Sequence, residues 1–490
     1  MPRQDVAKRL AFNGINGRSG APAFRHATVE EVLTFARGRR PGKSEIELAQ
    51  RHRYDTSERF LDLEDGVDPC KLEEAGWGVI FPRQGNSEIR EALEPLMRWR
   101  EEQAKARDER LFKIYGNRAG TKAGYSSREV VSRFLERRGA CDGPVRPREM
   151  PYYLLLVGGP EEIPFDFQYQ LDVRYAVGRL DFATPEEYAA YAANVVALER
   201  RFAQGELPKQ RRAALFAPWQ PGEAVEEFLV ADLVRPLGEE LERTRSRGFK
   251  VEAVVNQHAT RERLLALLGG EAAVDLLFTA CHGLVYDDHP ETRDEQGALL
   301  CHGHLGQSDP RRYAVGASEV AGRANASGQI TMHFGCFSAG IPVWDGFGLR
   351  PDGTPCRYAD QPFTTALPRR LLCQPGGTTL AVIGHVDRAW TYSFASTHGA
   401  PRRAIFEQCL KRLLKGKPVG YALEPFNLRH AALSAEWLGL LQKEQLEPWA
   451  KPRNSEMLDT FCTWLDAKSF VVLGDPAVRL AMAGETLREI

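Results

Sequence analysis

The feature that most constrains this chain is a series of short apolar runs without polar alternation: Tyr152–Val157, Ala213–Ala217, Val251–Val255, Val274–Thr279, Ile330–Phe334, Thr378–Ile383 and Phe470–Leu473. An antiparallel strand with one wet face alternates apolar and polar residues, whereas a strand buried on both faces does not. Between the runs lie helical patterns, among them Pro185–Arg201, Ala224–Arg245 and Arg261–Leu268. Buried strands alternating with helices predict an α/β protein, with a mostly parallel sheet sandwiched between helical layers. In such sheets chemistry gathers just beyond the carboxyl ends of the strands.

Before residue 150 the texture differs. Residues 1 to 25 are rich in Gly, Arg and Ala and read as an arm. Thr28 and Glu31 form a capping-box pair opening a helix that runs to Arg37. Gly76–Pro82 and Leu111–Tyr115 read as short strands, Glu88–Lys105 as a helix in spite of Pro95, and Ser127 as the cap of a helix to Arg138. Segment 139–151, with Gly143, Pro144 and Pro147, is the expected boundary between an N-terminal regulatory or accessory region, 1–150, and a catalytic domain, 151–490.

Composition narrows the class of function. The chain has 490 residues and a formal net charge of −1, so nothing global draws it to nucleic acid or to an anionic membrane. Its nine cysteines form no C-x-x-C pair, which excludes a zinc ribbon, and their odd number does not suit a disulfide framework. The first 25 residues lack an apolar h-region, and no later run is long enough to span a membrane. A cytoplasmic protein with reduced cysteines is expected, so what matters is which thiol reacts.

Two runs end in reactive side chains. Leu276–Ala280 leads into Cys281-His282-Gly283, and Ile330–Phe334 into Gly335-Cys336-Phe337-Ser338-Ala339-Gly340. A histidine beside a cysteine takes the thiol proton or stabilises the thiolate as a cation, and later protonates a leaving amine. Flanking glycines let backbone approach a substrate, and the amides of Gly283 and Cys336 are placed to meet a developing oxyanion. The histidine precedes the cysteine at a spacing like the roughly 50 residues of caspases, although the local caspase signature is absent.

With these two motifs the sequence resembles the caspase-like cysteine peptidases, the group of caspases, gingipains, clostripain, separase and CHAT-domain proteases, and within it the gingipain branch. The likeness extends over roughly residues 150–480. Tyr152–Pro164 is similar to the opening strand and turn, Tyr175-Ala-Val-Gly-Arg-Leu180 with the helix after Thr184 to a second segment, Ala381–Trp390 to the strand bearing the tryptophan wall of the specificity pocket, and Gly474-Asp475-Pro476-Ala477 to the closing turn.

The resemblance implies a three-layer caspase-like fold and a cysteine endopeptidase without cofactor. Cys336 would be the nucleophile, His282 the acid and base, the amides of Gly283 and Cys336 the oxyanion hole, and Trp390 a pocket wall. Asp232 would be the pocket acid, with Glu223, Glu226 and Glu227 as alternatives nearby. A buried carboxylate favours a guanidinium, so cleavage after Arg is expected, with Lys less favoured. Related enzymes suggest protein or peptide substrates, an upstream activating protease, a zymogen, and a role in bacterial signalling, antiviral defence or cell death. No nucleic-acid or membrane partner is implied.

Two insertions depart from a compact core. Residues 284–328 contain Tyr286-Asp-Asp-His-Pro and an expected hairpin, Ala298–His304, while 341–362 contain Arg350 and Arg357, the candidate sites of activating cleavage. Cys301, His302 and His304, with Asp288 and His289, are the best zinc candidates, at a spacing that fits no zinc motif. A metal-dependent hydrolase built on 287–304 and an inactive caspase-like scaffold are the alternatives. No G-x-S-x-G elbow occurs.

Overall fold

A computed structural model describes residues 9–10, 14–23, 27–38, 63–116, 124–140, 143–206, 211–244, 248–286, 290–307, 309–322, 328–349, 355–374, 379–395, 402–446 and 452–482. Ten strands build its central sheet: β1 (Trp77–Ile80), β2 (Phe112–Tyr115), β3 (Tyr153–Val157), β4 (Ala176–Leu180), β5 (Arg211–Ala217), β6 (Phe249–Val255), β7 (Leu276–Ala280), β8 (Gln329–Phe334), β9 (Thr379–His385) and β10 (Phe470–Gly474). They lie in the order β2-β1-β3-β4-β10-β9-β8-β7-β5-β6. Neighbours are parallel except at β9 and β10, where Ala381 faces Gly474 in an antiparallel pair. That seam joins two five-stranded parallel halves, and the expected α/β class with a mostly parallel sheet is what the chain adopts.

Burial explains the apolar runs. Every residue of β3, β4, β7, β8, β9 and β10 is buried, so none of them has a wet face to alternate toward. The edge strands differ: β6 exposes Lys250, and β2 half-exposes Lys113 and Ile114. Charged residues on an edge discourage further strand pairing.

The helices needed below are α1 (Val29–Gly38), α2 (Glu94–Ala104), α3 (Pro185–Ala203), α4 (Arg235–Arg243), α5 (Ala404–Leu414), α6 (Val419–Leu446) and α7 (Asn454–Lys468). α2 packs on α3, α4 on β6, α6 on β4 and β10, and α7 on both α6 and α1. At α1 the capping box is formed, with Glu31 N–H on Thr28 Oγ1 at 3.2 Å and Thr28 N–H on Glu31 Oε2 at 2.8 Å.

Four expectations need correction. Segment 139–151 does not divide two sheets, because Trp77–Ile80 pairs along Tyr153–Leu156 and residues before 150 supply two strands of the common sheet. The helix expected at 88–105 is two helices, Ser87–Ala92 and α2. Pro95 sits in the first turn of the second, where its missing N–H costs nothing. The helix capped by Ser127 begins instead at Val131 and ends at Glu136. Leu299–Leu300 pairs with Ala314–Val315 rather than folding back within 298–304.

Candidate active site

β7 and β8 are neighbours, with Ala280 level with Phe334, so the residues that follow them emerge side by side at their carboxyl ends. His282 is two residues past β7 and Cys336 two past β8. The two turns touch: a Cβ placed on Gly283 would fall 2.0 Å from the Cys336 carbonyl oxygen, so only glycine fits there. The chain leaves Cys336 through a sharp turn in which Phe337 takes φ 55°, a costly conformation for a residue with a side chain. Hydrogen bonds to the end of β9 hold that turn: Phe337 N–H on Asp387 O at 3.0 Å, Ala339 N–H on His385 O at 3.0 Å, and His385 N–H on Ser338 Oγ at 2.9 Å.

The cysteine sulfur faces β9, where it accepts the Ala389 N–H at 3.4 Å. Cys336 is 0% exposed and His282 1%, so both reactive groups are closed off from solvent in this conformation. Burial pushes the Cys336 thiol far up, and the Ala389 N–H and the Arg388 guanidinium offset little of that.

The histidine faces an acidic group from the chain after β5. His282 Nε2 lies 3.6 Å from Glu223 Oε1, within ion-pair range and beyond a well-formed hydrogen bond. Burial alone would lower the imidazole pKa, but Glu223 and then Glu226 outweigh it and raise it. Glu223 answers in kind: burial raises its carboxyl, His282 more than cancels that, and the net shift is downward. Glu223 also caps the helix Ala224–Phe228 by accepting the Val225 N–H at 3.2 Å.

Behind this pair Glu226 is fully buried, with neither oxygen in a well-formed hydrogen bond and Oε1 3.7 Å from His304 Nδ1. Burial lifts its carboxyl to about 7, against the pull of His282. His304 is held near Gln220, whose Nε2 lies 2.9 Å from Nδ1, and burial together with the His282 charge lowers it to about 4.

Sequence reasoning placed His282, Gly283 and Cys336 at one site. The structure packs the two turns that carry them against each other, Gly283 on Cys336, while the His282 imidazole faces Glu223 and the Cys336 sulfur meets the Ala389 N–H. From the sequence Glu223 is only an alternative to Asp232 for the pocket acid, not a neighbour of the histidine. Asp232 lies in the continuing turn Leu229–Val234, half-buried, and forms no ion pair among the described residues. Trp390 follows Ala389 but is 0% exposed, packed in one apolar cluster with Val32, Leu33 and Ala36 of α1 and with Met457 and Phe461 of α7.

Arg357 is exposed and binds Asp360, with Nη1 2.9 Å from Oδ1, and Arg350 lies outside the described residues, as do Asp288 and His289. His302 instead reaches the Trp219 carbonyl at 3.1 Å, and Cys301 Sγ the Leu299 carbonyl at 3.7 Å. Among the described residues no three His, Cys, Asp or Glu side chains converge as a metal site would need, and no helix is long and apolar enough to cross a membrane.

No family model matches this chain, and no curated protein matches it. Solved structures do resemble it in outline. One titled "Structure of Protease" is 11% identical with TM-score 0.45, covering 87% of this chain and 81% of its own. The complex of Porphyromonas gingivalis RgpB pro- and mature domains is 13% identical with TM-score 0.42, covering 84% and 81%. The Arg-specific cysteine proteinase gingipain R (RgpB) is 11% identical with TM-score 0.43, covering 86% of this chain and 81% of its own.

Proposed function

We propose that the protein is a cysteine endopeptidase acting on protein or peptide substrates through Cys336 and His282. One observation carries this reading: the ends of adjacent strands β7 and β8 press Gly283 against Cys336, while an acid, Glu223, holds His282 from the far side. Nucleophile, base and a group that orients and charges the base are the parts covalent catalysis by a thiol requires.

In the reaction the Cys336 thiol gives its proton to His282 and Sγ attacks the scissile carbonyl, forming a C–S bond. The carbonyl oxygen takes the negative charge within reach of the Gly283 and Cys336 amides. Collapse breaks the C–N bond as His282 protonates the leaving amine, and water, deprotonated by His282, then cleaves the thioester. Burial raises the thiol pKa and Glu223 raises that of the imidazole, so the closed conformation disfavours the thiolate. Hydration of Cys336 is therefore part of activation.

The preference for Arg over Lys, with Asp232 as pocket acid and Trp390 as wall, and activation by an upstream protease at Arg357 or Arg350 belong to the same proposal and rest on the sequence resemblance. Cytoplasmic location and an accessory role for residues 1–150 belong to it too and rest on composition and on the change of texture before residue 150. The test is an arginyl peptide library incubated with the protein and with Cys336→Ala and His282→Ala. Each substitution should cut turnover by roughly 10³-fold or more without unfolding the chain. Near-normal cleavage by either variant would falsify the dyad, and a preference for acidic or apolar residues before the cut would remove the arginine pocket.

A further inference from the structure

The dyad is buried although a peptidase must admit a peptide, and the N-terminal segment is seated on both sides of it. We propose that segments 14–23 and 27–38 are an intramolecular strap that keeps the Cys336–His282 site closed, and that the strand edge at 283–285 is a docking surface for extended peptide which the strap occupies. The proposal deepens the peptidase reading and rests on it only for what enters once the strap lifts.

The first foothold lies directly after the histidine. Ile15–Asn16 adds to Leu284–Val285 as a parallel strand, with Ile15 N–H on Gly283 O at 3.3 Å and Gly17 N–H on Val285 O at 3.0 Å. This occupies the backbone of Gly283, the residue pressed against Cys336. Ile15 is buried with Leu284, Tyr286 and Leu300, and Gly17 lies so close to the Tyr286 ring that an added Cβ would come within 1.9 Å of it. The segment turns back on itself, Asn16 Oδ1 accepting the Arg18 and Ser19 N–H groups and Ala23 N–H reaching Gly14 O.

The second foothold lies beyond β9, where the Ala389 N–H meets Cys336 Sγ. There α1 buries Val32, Leu33 and Ala36 in the cluster that holds Trp390, with Phe35 edge-on to Phe461. Arg37 fastens its end, with Nε 2.7 Å from Glu444 Oε1 and Nη2 2.6 Å from Asn454 Oδ1.

A strand added to a free edge is how many domains bind extended peptides, because main-chain hydrogen bonds serve any sequence. A two-residue ladder and one ten-residue helix, with three buried residues, are few contacts for a domain of this size, of the kind that open locally while the rest stays folded. The strap therefore holds the place of a peptide and can leave it.

The experiment is alkylation by iodoacetamide, mapped by mass spectrometry, in the full chain and in Gly17→Val, Leu33→Asp and the double variant. Val at 17 cannot stand against Tyr286 with the ladder intact, and Asp at 33 cannot stay in the apolar cluster. Cys336 should label roughly 10-fold faster or more in the double variant while Cys409, buried in α5, stays protected as the sign that the protein is folded. An unchanged rate at Cys336 with Cys409 protected overturns the strap. Should the variants expose Cys409, the unaltered chain decides: amide exchange at Ile15 and Gly17 and labelling of Cys336 must rise together in low urea, and independent rates overturn the proposal. Faster labelling without peptide cleavage keeps the strap and removes the peptidase, and cleavage indifferent to the strap does the reverse.

Discussion

Two buried charged clusters, one in each half of the sheet, are partnered in opposite ways. In the half holding β1 to β4 and β10, Arg100 is 1% exposed and fully engaged: Nε lies 2.6 Å from Asp475 Oδ2 and Nη2 2.6 Å from Glu199 Oε1. Trp77 Nε1 and Trp99 Nε1 donate to the same two carboxylates at 3.0 and 2.6 Å. Arg179, also buried, donates to the carbonyls of Gly158 and Ile163 and to Gln168 Oε1. In the half holding β5 to β9, His282 and Glu226 are as deeply buried, and none of their ring nitrogens or carboxylate oxygens makes a well-formed hydrogen bond. Satisfied charges fix a structure, while buried polar groups without partners cost energy and persist where they serve a reaction.

The comparison breaks hardest at Arg100. Arg100→Met leaves Asp475, itself 0% exposed, and Glu199 without their cation, and should destabilise the chain by about 3–5 kcal/mol in urea unfolding. Adding Glu199→Gln and Asp475→Asn to that variant should restore part of the loss, since an unpaired buried charge causes most of it. A loss below about 1 kcal/mol for Arg100→Met would mean the network is solvated and the contrast between halves is false.

Glu226 sharpens the contrast from the other side. Its carboxyl is raised to about 7, above the ordinary value, so the folded state holds its proton more tightly than the unfolded state does. The contribution to stability is therefore complete at acid pH and is lost as pH rises through 7, reaching about 3 kcal/mol at alkaline pH. Glu226→Gln should remove that dependence. Between pH 5 and pH 8 the unfolding midpoint of the natural chain should fall relative to that of the variant, the titrations of His304 and other buried groups being common to both. An equal change with pH in both would show that Glu226 is not the group that titrates.

How much of this was legible in the sequence follows the same division. Non-alternating runs located seven of the ten strands, most of them because burial on both faces is written into each residue; β6, an edge strand with Lys250 exposed, is the exception. The reactive pair was legible since His282 and Cys336 each end such a run beside glycine. The seam at β9 and β10 was not, because strand direction depends on the path of the chain between strands and leaves no local mark. Membership of β1 and β2 in the common sheet was hidden by the Gly- and Pro-rich segment 139–151, whose composition suits a boundary and a connection equally. The burial of Trp390 was not legible, because its cover comes from α1, hundreds of residues away in the chain. Glu223 went unread as a partner because proximity across sequence is set only by the fold.

Glu223 also supplies the smallest test of the comparison. Its side chain is only partly enclosed, at 16% exposure, so its ion pair with His282 should contribute no more than about 1 kcal/mol to stability. Glu223→Gln keeps an oxygen for the Val225 cap and so preserves the helix start. What it removes is the leading influence raising the His282 pKa, leaving burial to pull the imidazole down. In NMR titration the His282 ring should therefore lose its proton at lower pH in the variant, and peptidase activity, once the site is open, should lose its alkaline limb at correspondingly lower pH. A merely structural glutamate would change the unfolding midpoint and leave both titrations in place. That outcome would return the cluster around His282 to the status of the one around Arg100, a set of buried charges that do nothing but hold the fold.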